Sequence, residues 1–427
     1  MRKFTVLNIL VLALLFTSFS LIATAQTESV LVNFNTATSG DSPRDKLIFD
    51  SAGNLYGVSY EGGTIGYGTV YQLVFGSTPT LNVLYNFTGG KDSGYPWAGL
   101  AIDAGGNLYG TTTGGVTGGF GSVFELSPLP GGGWHETTLY TFSGGRDGAA
   151  SYGQILLDSQ GNLYGTTYSG GDLSACPNGC GLVFKLSRTS NAWKETILHT
   201  FEGGTDGAHP EAGLVFDTAG NLYGTTGAGG EDFTDCGAGC GVAFELSPNA
   251  AGGWRETVMH SFRLSDGSLP NAPFVFDAAG NLYSTTPLGG TLNTFTCGSA
   301  GCGTVYKLSR GSNGQWKQNL IHAFRGVDGE EPAEGGLSFD AAGNLYGTTA
   351  LGGNLASCGG VGCGTVFKLQ PVVAGSWKET VLYDFANGDD GGGPFAPPIP
   401  DSAGNLYGAA TSGGTNKSEG VIYKIGQ

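Results

Sequence analysis

Charged side chains are scarce in this chain. Asp, Glu, Lys and Arg make up only 13% of its 427 residues, and the basic ones are the rarer kind, 19 against 35, for a formal net charge of −16. A surface this acidic repels phosphate backbones and anionic lipid headgroups, so nucleic acid and membrane-surface partners are not expected. Helical periodicity is missing as well, since no repeat unit carries it over 10 residues. The 79 glycines suit short strands and tight turns, because Gly weakens a helix interior by about 1 kcal/mol relative to Ala. They lack the three-residue period of collagen, and at 40% hydrophobic residues the chain is too apolar for disorder.

Long apolar runs are absent beyond the N-terminus, so no segment after it reaches the roughly 18 residues of a spanning helix. The one run, about Phe4 to Ile22, follows Arg2 and Lys3 and ends in the small residues of Ala23 to Gln26. That order reads as a secretory signal peptide, residues 1–25, with cleavage expected after Ala25. Loss of Arg2 and Lys3 would take the charge from −16 to about −18. No Cys stands at the cleavage point, so no lipid anchor is expected there, and the mature protein is expected to be secreted and monomeric.

What is abundant is repetition. "GNLY" begins at Gly53, Gly106, Gly161, Gly220, Gly280, Gly343 and Gly404, at spacings of 53, 55, 59, 60, 63 and 61 residues. Around each copy the same segments recur. In the third, "GQILLD" (Gly153 to Asp158), "NLYGTT" (Asn162 to Thr167), "GLVFKLS" (Gly181 to Ser187) and "KETILHTF" (Lys194 to Phe201) are four strand-like runs separated by turn clusters. Seven such units predict an all-β fold, a seven-bladed β-propeller of four-stranded antiparallel blades. The last unit stops after its third run, "GVIYKIG", while "VLVNF" (Val30 to Phe34) at the mature N-terminus matches the fourth-strand runs "VLYNF" and "VLYDF". A strand at about 29–34 is therefore expected to complete the last blade, making residues 26–427 a single propeller domain.

The repeat "GLxFDxxGNLYGTTxxGG…GCGTVFKLS…WKETVLYDF" resembles the GloVer-type tandem repeat of secreted bacterial choice-of-anchor proteins. The match covers essentially the whole mature chain. That family is associated with no established activity, and its members differ in their C-terminal anchor; finding none here, the resemblance implies secretion without surface attachment. "GLxFDxxGN" alone is also similar to NHL-type and sugar-lactonase propeller repeats.

The recurring residues read mainly as scaffold. The Asp of "DxxGN" (Asp50, Asp103, Asp158, Asp217, Asp277, Asp340 and Asp401) precedes a tight turn and can accept a backbone N–H, and the further carboxylates of a calcium-binding loop are missing. The Tyr of "NLYG" is expected to pack between blades, as are Trp134, Trp193, Trp254, Trp316 and Trp377 at the outer strands; the Gly after it is expected to let the adjacent sheet approach. His199, His260 and His322 stand where Tyr85, Tyr140 and Tyr383 stand in other repeats, which suggests packing. A second recurring Asp (Asp92, Asp147, Asp206, Asp266, Asp328 and Asp390) marks a turn first and a weak Ca²⁺ site second. The cysteines fall in pairs within the second-to-third-strand loops, and disulfides Cys176–Cys180, Cys236–Cys240, Cys297–Cys302 and Cys358–Cys363 are expected over zinc sites, which need four ligands.

One aligned position does not repeat. Six residues before each "DxxGN" Asp lie Arg44, Trp97, Tyr152, Glu211, Asn271, Glu334 and Phe395, which the fold would place around the mouth of the central channel. Aromatic and polar groups in a concavity suit a carbohydrate or other small polar ligand, or an extracellular protein, with a sugar stacked on Trp97 or Tyr152. The alternative is a Ca²⁺-dependent hydrolase or lyase of the sugar-lactonase kind, with Glu211, Asn271 and Glu334 as metal ligands and His209 as base. No nucleophile–base pair is recognisable, which ranks non-catalytic binding above catalysis.

Overall fold

In the computed structural model, residues 26–426 are described apart from 45, 116–117, 191, 293–295, 333, 373–374 and 416–418. The signal peptide expected at 1–25 therefore lies outside the described residues. Seven antiparallel sheets follow one another, one per repeat. In blade 3 the strands run Leu156–Leu157, Leu163–Thr167, Leu182–Arg188 and Trp193–Thr200, from the axis outward. Blades 1 and 6 carry a fifth short strand because their innermost segment pairs twice with its neighbour, as Asp41–Pro43 and Ile48–Phe49 do with Leu55–Glu61. Blade 7 takes its outer strand from the N-terminus: Glu28–Asn33 pairs antiparallel with Val421–Ile425, placing Val30 opposite Tyr423.

The core lies between blades. Every residue of Leu163–Thr167 is buried, because a neighbouring blade covers each face of the small sheet. One apolar cluster unites Tyr164, Val183 and Phe201 of blade 3 with Leu214, Leu222, Phe244 and Leu246 of blade 4. Each junction repeats one edge-to-face contact, the residue after an outer strand meeting the third strand of the next blade. Phe142–Phe184 and Phe201–Phe244 stand at 5.4 and 5.2 Å, and Phe34–Tyr71, at 5.1 Å, closes the ring between blades 7 and 1. Burying one such ring stabilises by about 2 kcal/mol.

The "NLYG" glycine plays another part than expected. A Cβ on Gly165 would lie 2.6 Å from Phe184 Cζ, and Phe184 is its own cross-strand partner. The glycine seats an aromatic ring of the same sheet, not of the adjacent one. The "DxxGN" aspartates form turns as expected, and also hold Tyr. Asp103 Oδ1 accepts from the Gly105 and Asn107 N–H groups at 2.8 and 2.9 Å, while Oδ2 accepts from Asn107 Nδ2 at 2.8 Å and the Tyr109 hydroxyl at 3.1 Å. Burial pushes this carboxyl up, but the bonds from Asn107, Tyr109 and Gly105 outweigh it and leave it below the usual carboxylate range.

Candidate functional site

The channel mouth is assembled from the backbone outward. In every blade the chain reaches the axis through a left-handed residue: Ser42, Tyr95, Ala150, His209, Leu269, Glu331 and Gly393 have φ between 53° and 60°. Six of these are not glycine, and each such residue costs about 1–3 kcal/mol. The N–H of each donates to a carbonyl of the preceding blade, for instance His209 to Cys180 at 2.8 Å, Tyr95 to Tyr67 at 2.8 Å and Ser42 to Glu419 at 3.2 Å. Proline then fixes the next φ: Pro43, Pro96, Pro210, Pro270 and Pro394 directly precede Arg44, Trp97, Glu211, Asn271 and Phe395. Pro332 lies two residues before Glu334, and blade 3 has Ser151 before Tyr152. This x-Pro-rim signature was legible in the repeats, and sequence reasoning passed over it.

The structure brings all seven non-repeating side chains together: Arg44, Trp97, Tyr152, Glu211, Asn271, Glu334 and Phe395 line one cavity on the axis. Its volume is about 30 Å³, room for about two water molecules. The side chains fill the rest by reaching across. Trp97 Nε1 of blade 2 donates to Glu334 Oε2 of blade 6 at 3.2 Å. The Arg44 guanidinium sits 4.1 Å from the centre of the Trp97 ring and 4.7 Å from that of Phe395, the geometry of cation–π contacts. Tyr152 meets Trp97 edge-on at 5.2 Å. With Arg44 on one Trp97 face, a sugar stacked there would have to displace it.

Below the mouth the channel narrows. A Cβ on Gly153 would lie 2.7 Å from the Ala212 carbonyl oxygen, and one on Gly335 2.7 Å from Ala396 Cα, so glycine lets the inner segments touch. Beyond this waist the channel opens to about 960 Å³ with mostly apolar walls that include Leu157, Phe216, Phe276 and Phe339.

Within the ring, electrostatics distinguish Glu211 from Glu334. Burial, then the nearby Glu334 charge, push its carboxyl up to about 7 against a hydrogen bond from Asn271. Burial raises Glu334 too, and Arg44 and the Trp97 N–H partly offset it. The Asn271 Oδ1 is buried without a hydrogen-bond partner. His209, expected as a base, lies outside the cavity lining; its ring stacks on Tyr168 at 4.5 Å and its Nδ1 stands 2.9 Å from the Tyr168 carbonyl oxygen. The proposed Ca²⁺ ligands Glu211, Asn271 and Glu334 do line one cavity, but Glu334 already accepts from Trp97 and feels the Arg44 charge. A divalent ion would stand beside the Arg44 guanidinium, so these residues do not fit it.

The second set of aspartates is also engaged. Asp92, Asp147 and Asp390 accept from the Tyr85, Tyr140 and Tyr383 hydroxyls at 3.0, 3.3 and 3.1 Å. Asp206, Asp266 and Asp328 lie 3.3, 3.2 and 3.1 Å from Nε2 of His199, His260 and His322. His260 and His322 therefore hold loops as well as pack. Trp134, Trp316 and Trp377 contact Tyr56, Tyr223 and Tyr283 of the preceding blades at 6.2, 5.9 and 5.8 Å, as expected. All four disulfides form as paired in the sequence, with Cα–Cα separations of 5.1 to 5.5 Å, a mark of oxidising compartments. Among the described residues the one clustered set of potential metal ligands is Cys297, Cys302 and Glu330; with both sulfurs in a disulfide, it offers no thiolate. No helix of the described residues is long and apolar enough to cross a membrane.

The model of the Gloeobacter/Verrucomicrobia repeat matches residues 17–238 and 234–427. The chain belongs to this repeat family. No curated protein matches it. Among solved structures, the Gloeobacter/Verrucomicrobia repeat propeller is similar to a fungal alcohol oxidase of the AA5 family in complex with copper (14% identity, TM-score 0.52, 94% of this chain and 76% of that one). It is also similar to a protein of Thermus thermophilus described as an oxidoreductase (glucose dehydrogenase) (15%, 0.45, 76% and 94%) and to the calcium structure of a Trichoderma reesei carbohydrate-active enzyme of family AA12 (14%, 0.45, 95% and 96%). At these identities the likeness is one of fold alone.

Proposed function

We propose that this repeat propeller is exported and acts as a non-catalytic binding scaffold, with its loop-face channel mouth capturing one polar group of a small ligand, a carbohydrate among the candidates, or of an extracellular protein. The observation that carries the reading is the convergence on one cavity of the seven side chains that break the repeat. A scaffold position would keep one residue type through seven copies, as the "NLYG" tyrosine does, whereas this ring mixes an arginine, two carboxylates, an amide and three aromatics. Few converging polar groups within aromatic walls are the composition of a ligand site. At about 30 Å³ the cavity admits a functional group and not a whole sugar ring, so the body of the ligand would rest on the surrounding loops. Four disulfides and the signal-type N-terminus support export. The reading as a Ca²⁺-dependent hydrolase or lyase gains no support from the donor set.

A thermal-shift screen of small polar compounds and oligosaccharides on wild type and Trp97→Ala tests this. The expected result is a compound that raises the melting point of wild type and not of the variant. Flat, identical profiles would remove the reading.

A further inference from the structure

The mouth cavity is unbalanced in charge. Its ring holds two carboxylates, Glu211 and Glu334, and one cation, Arg44. The Arg44 charge acts on Glu334 from a distance, and Trp97 donates to the same carboxylate at 3.2 Å. Glu211 has no such partner: what acts on it is burial, the repulsion of Glu334 and one hydrogen bond from Asn271. A buried carboxylate without a cation is costly, and it is relieved by taking up a proton or a positive ligand. Beside it the Asn271 Oδ1 is buried and without a hydrogen-bond partner. Tyr152 adds a phenol, raised above its ordinary value by burial and then by the Glu211 charge. The Arg44 Nε is also buried without a hydrogen-bond partner, so the ring holds one unpaired donor on its Arg44 side and, on the Glu211 side, an unpaired acceptor beside a carboxylate. The open space is small, and its ring lacks one unit of positive charge.

Resting on the binding reading above, we infer that this cavity takes a primary ammonium group, from a free amine or from a lysine tip, held between the Glu211 carboxylate and Asn271 Oδ1. An ammonium brings three donors and a single charge in the volume of about one water. It would neutralise the ring, whereas a divalent cation would overshoot beside Arg44. A neutral hydroxyl would leave Glu211 uncompensated.

The test is calorimetric titration of the full mature chain with ethylammonium chloride, against tetramethylammonium chloride and sodium chloride at equal ionic strength. Ethylammonium is expected to bind alone among the three. Glu211→Gln should weaken it about tenfold or more, the size of a lost hydrogen bond to a charged group, and Asn271→Asp, which adds a second negative charge, should tighten it. Melting curves of both variants show that they fold. Equal titration by Nα-acetyl-lysine methylamide points to a lysine tip, and its exclusion to a free amine; both support the inference. Binding that survives Glu211→Gln, or equal binding of the control cations, overturns it. Failure of ethylammonium while a neutral compound still protects wild type and not Trp97→Ala overturns the ammonium but leaves the binding mouth standing, and failure of both removes the two together.

Discussion

The Cys180 carbonyl oxygen accepts the N–H of His209 at 2.8 Å, so the disulfide loop of blade 3 is tied to the backbone two residues before the rim residue Glu211 of blade 4. The same bond links Cys240 to Leu269, Cys302 to Glu331 and Cys363 to Gly393. The disulfides therefore brace the approach to the channel mouth as well as their own loops. Replacing Cys176 and Cys180 together by Ser is expected to cost about 2 kcal/mol, the entropy of so short a loop. Calorimetry should show a lower melting point for the variant, with wild type falling to match it under reductant if the other three disulfides resist reduction. An unchanged melting point would refute the brace.

Two glycines with the same φ of +87° separate backbone strain from collision. A Cβ on Gly181 would lie 2.3 Å from the Thr167 carbonyl oxygen and 2.7 Å from Cδ of Pro210 in the next blade, whereas Gly220 has nothing within 4 Å. Both Ala variants pay the left-handed conformation, about 1–2 kcal/mol. Gly181→Ala should lose at least a further ~2 kcal/mol to overpacking or fail to fold. Urea denaturation of the two variants checks the order, and equal midpoints would contradict it.

Asp103→Ala should cost about 1–3 kcal/mol, because the Asn107 and Tyr109 side chains lose their common acceptor. Asp103→Asn should recover only part of this, since an amide oxygen is a weaker acceptor than a carboxylate. Urea midpoints of wild type and both variants measure it. A neutral outcome for Ala would return Asp103 to the role of turn filler.

The pH dependence has two limbs. Burial raises Glu28, Glu195, Glu256 and Glu379 to about 7, with Asp390, Asp147, Asp206 and Asp328 of the facing junctions adding to it and Tyr140, His199 and His322 opposing it. A raised acid binds its proton more tightly when folded, so the stability it contributes is present in acid and lost as pH rises through about 7. The "DxxGN" aspartates are depressed, so their stability is present above the ordinary Asp range and lost as pH falls below it. The melting point should thus peak in mildly acidic solution and fall on either side. Glu211→Gln should raise it in alkaline solution, where wild type carries a buried charge. A curve still rising at alkaline pH would contradict the first limb.

Much of this was legible before folding was considered. The copies of "GNLY" set the number of blades, and the match of Val30–Phe34 to other fourth strands foretold closure, because each blade must present the same faces to its neighbours. The position of the variable ring followed from counting back along the same ruler. His209 was placed at the site by proximity in sequence, but its left-handed backbone turns it toward Tyr168 and away from the cavity, which no residue count reveals.

The sequence by itself determined the repeat, the seven blades, the disulfide pairs and which position varies, since all of these are periodic and depend on local strand and turn chemistry. Only the tertiary structure decided what the variable ring does with its members. Trp97 and Glu334 are 237 residues apart and meet because the ring closes. Arg44 lands on Trp97, and Glu211 is left without a cation, because side chains from seven blades must share one axis too narrow for all of them to keep to themselves.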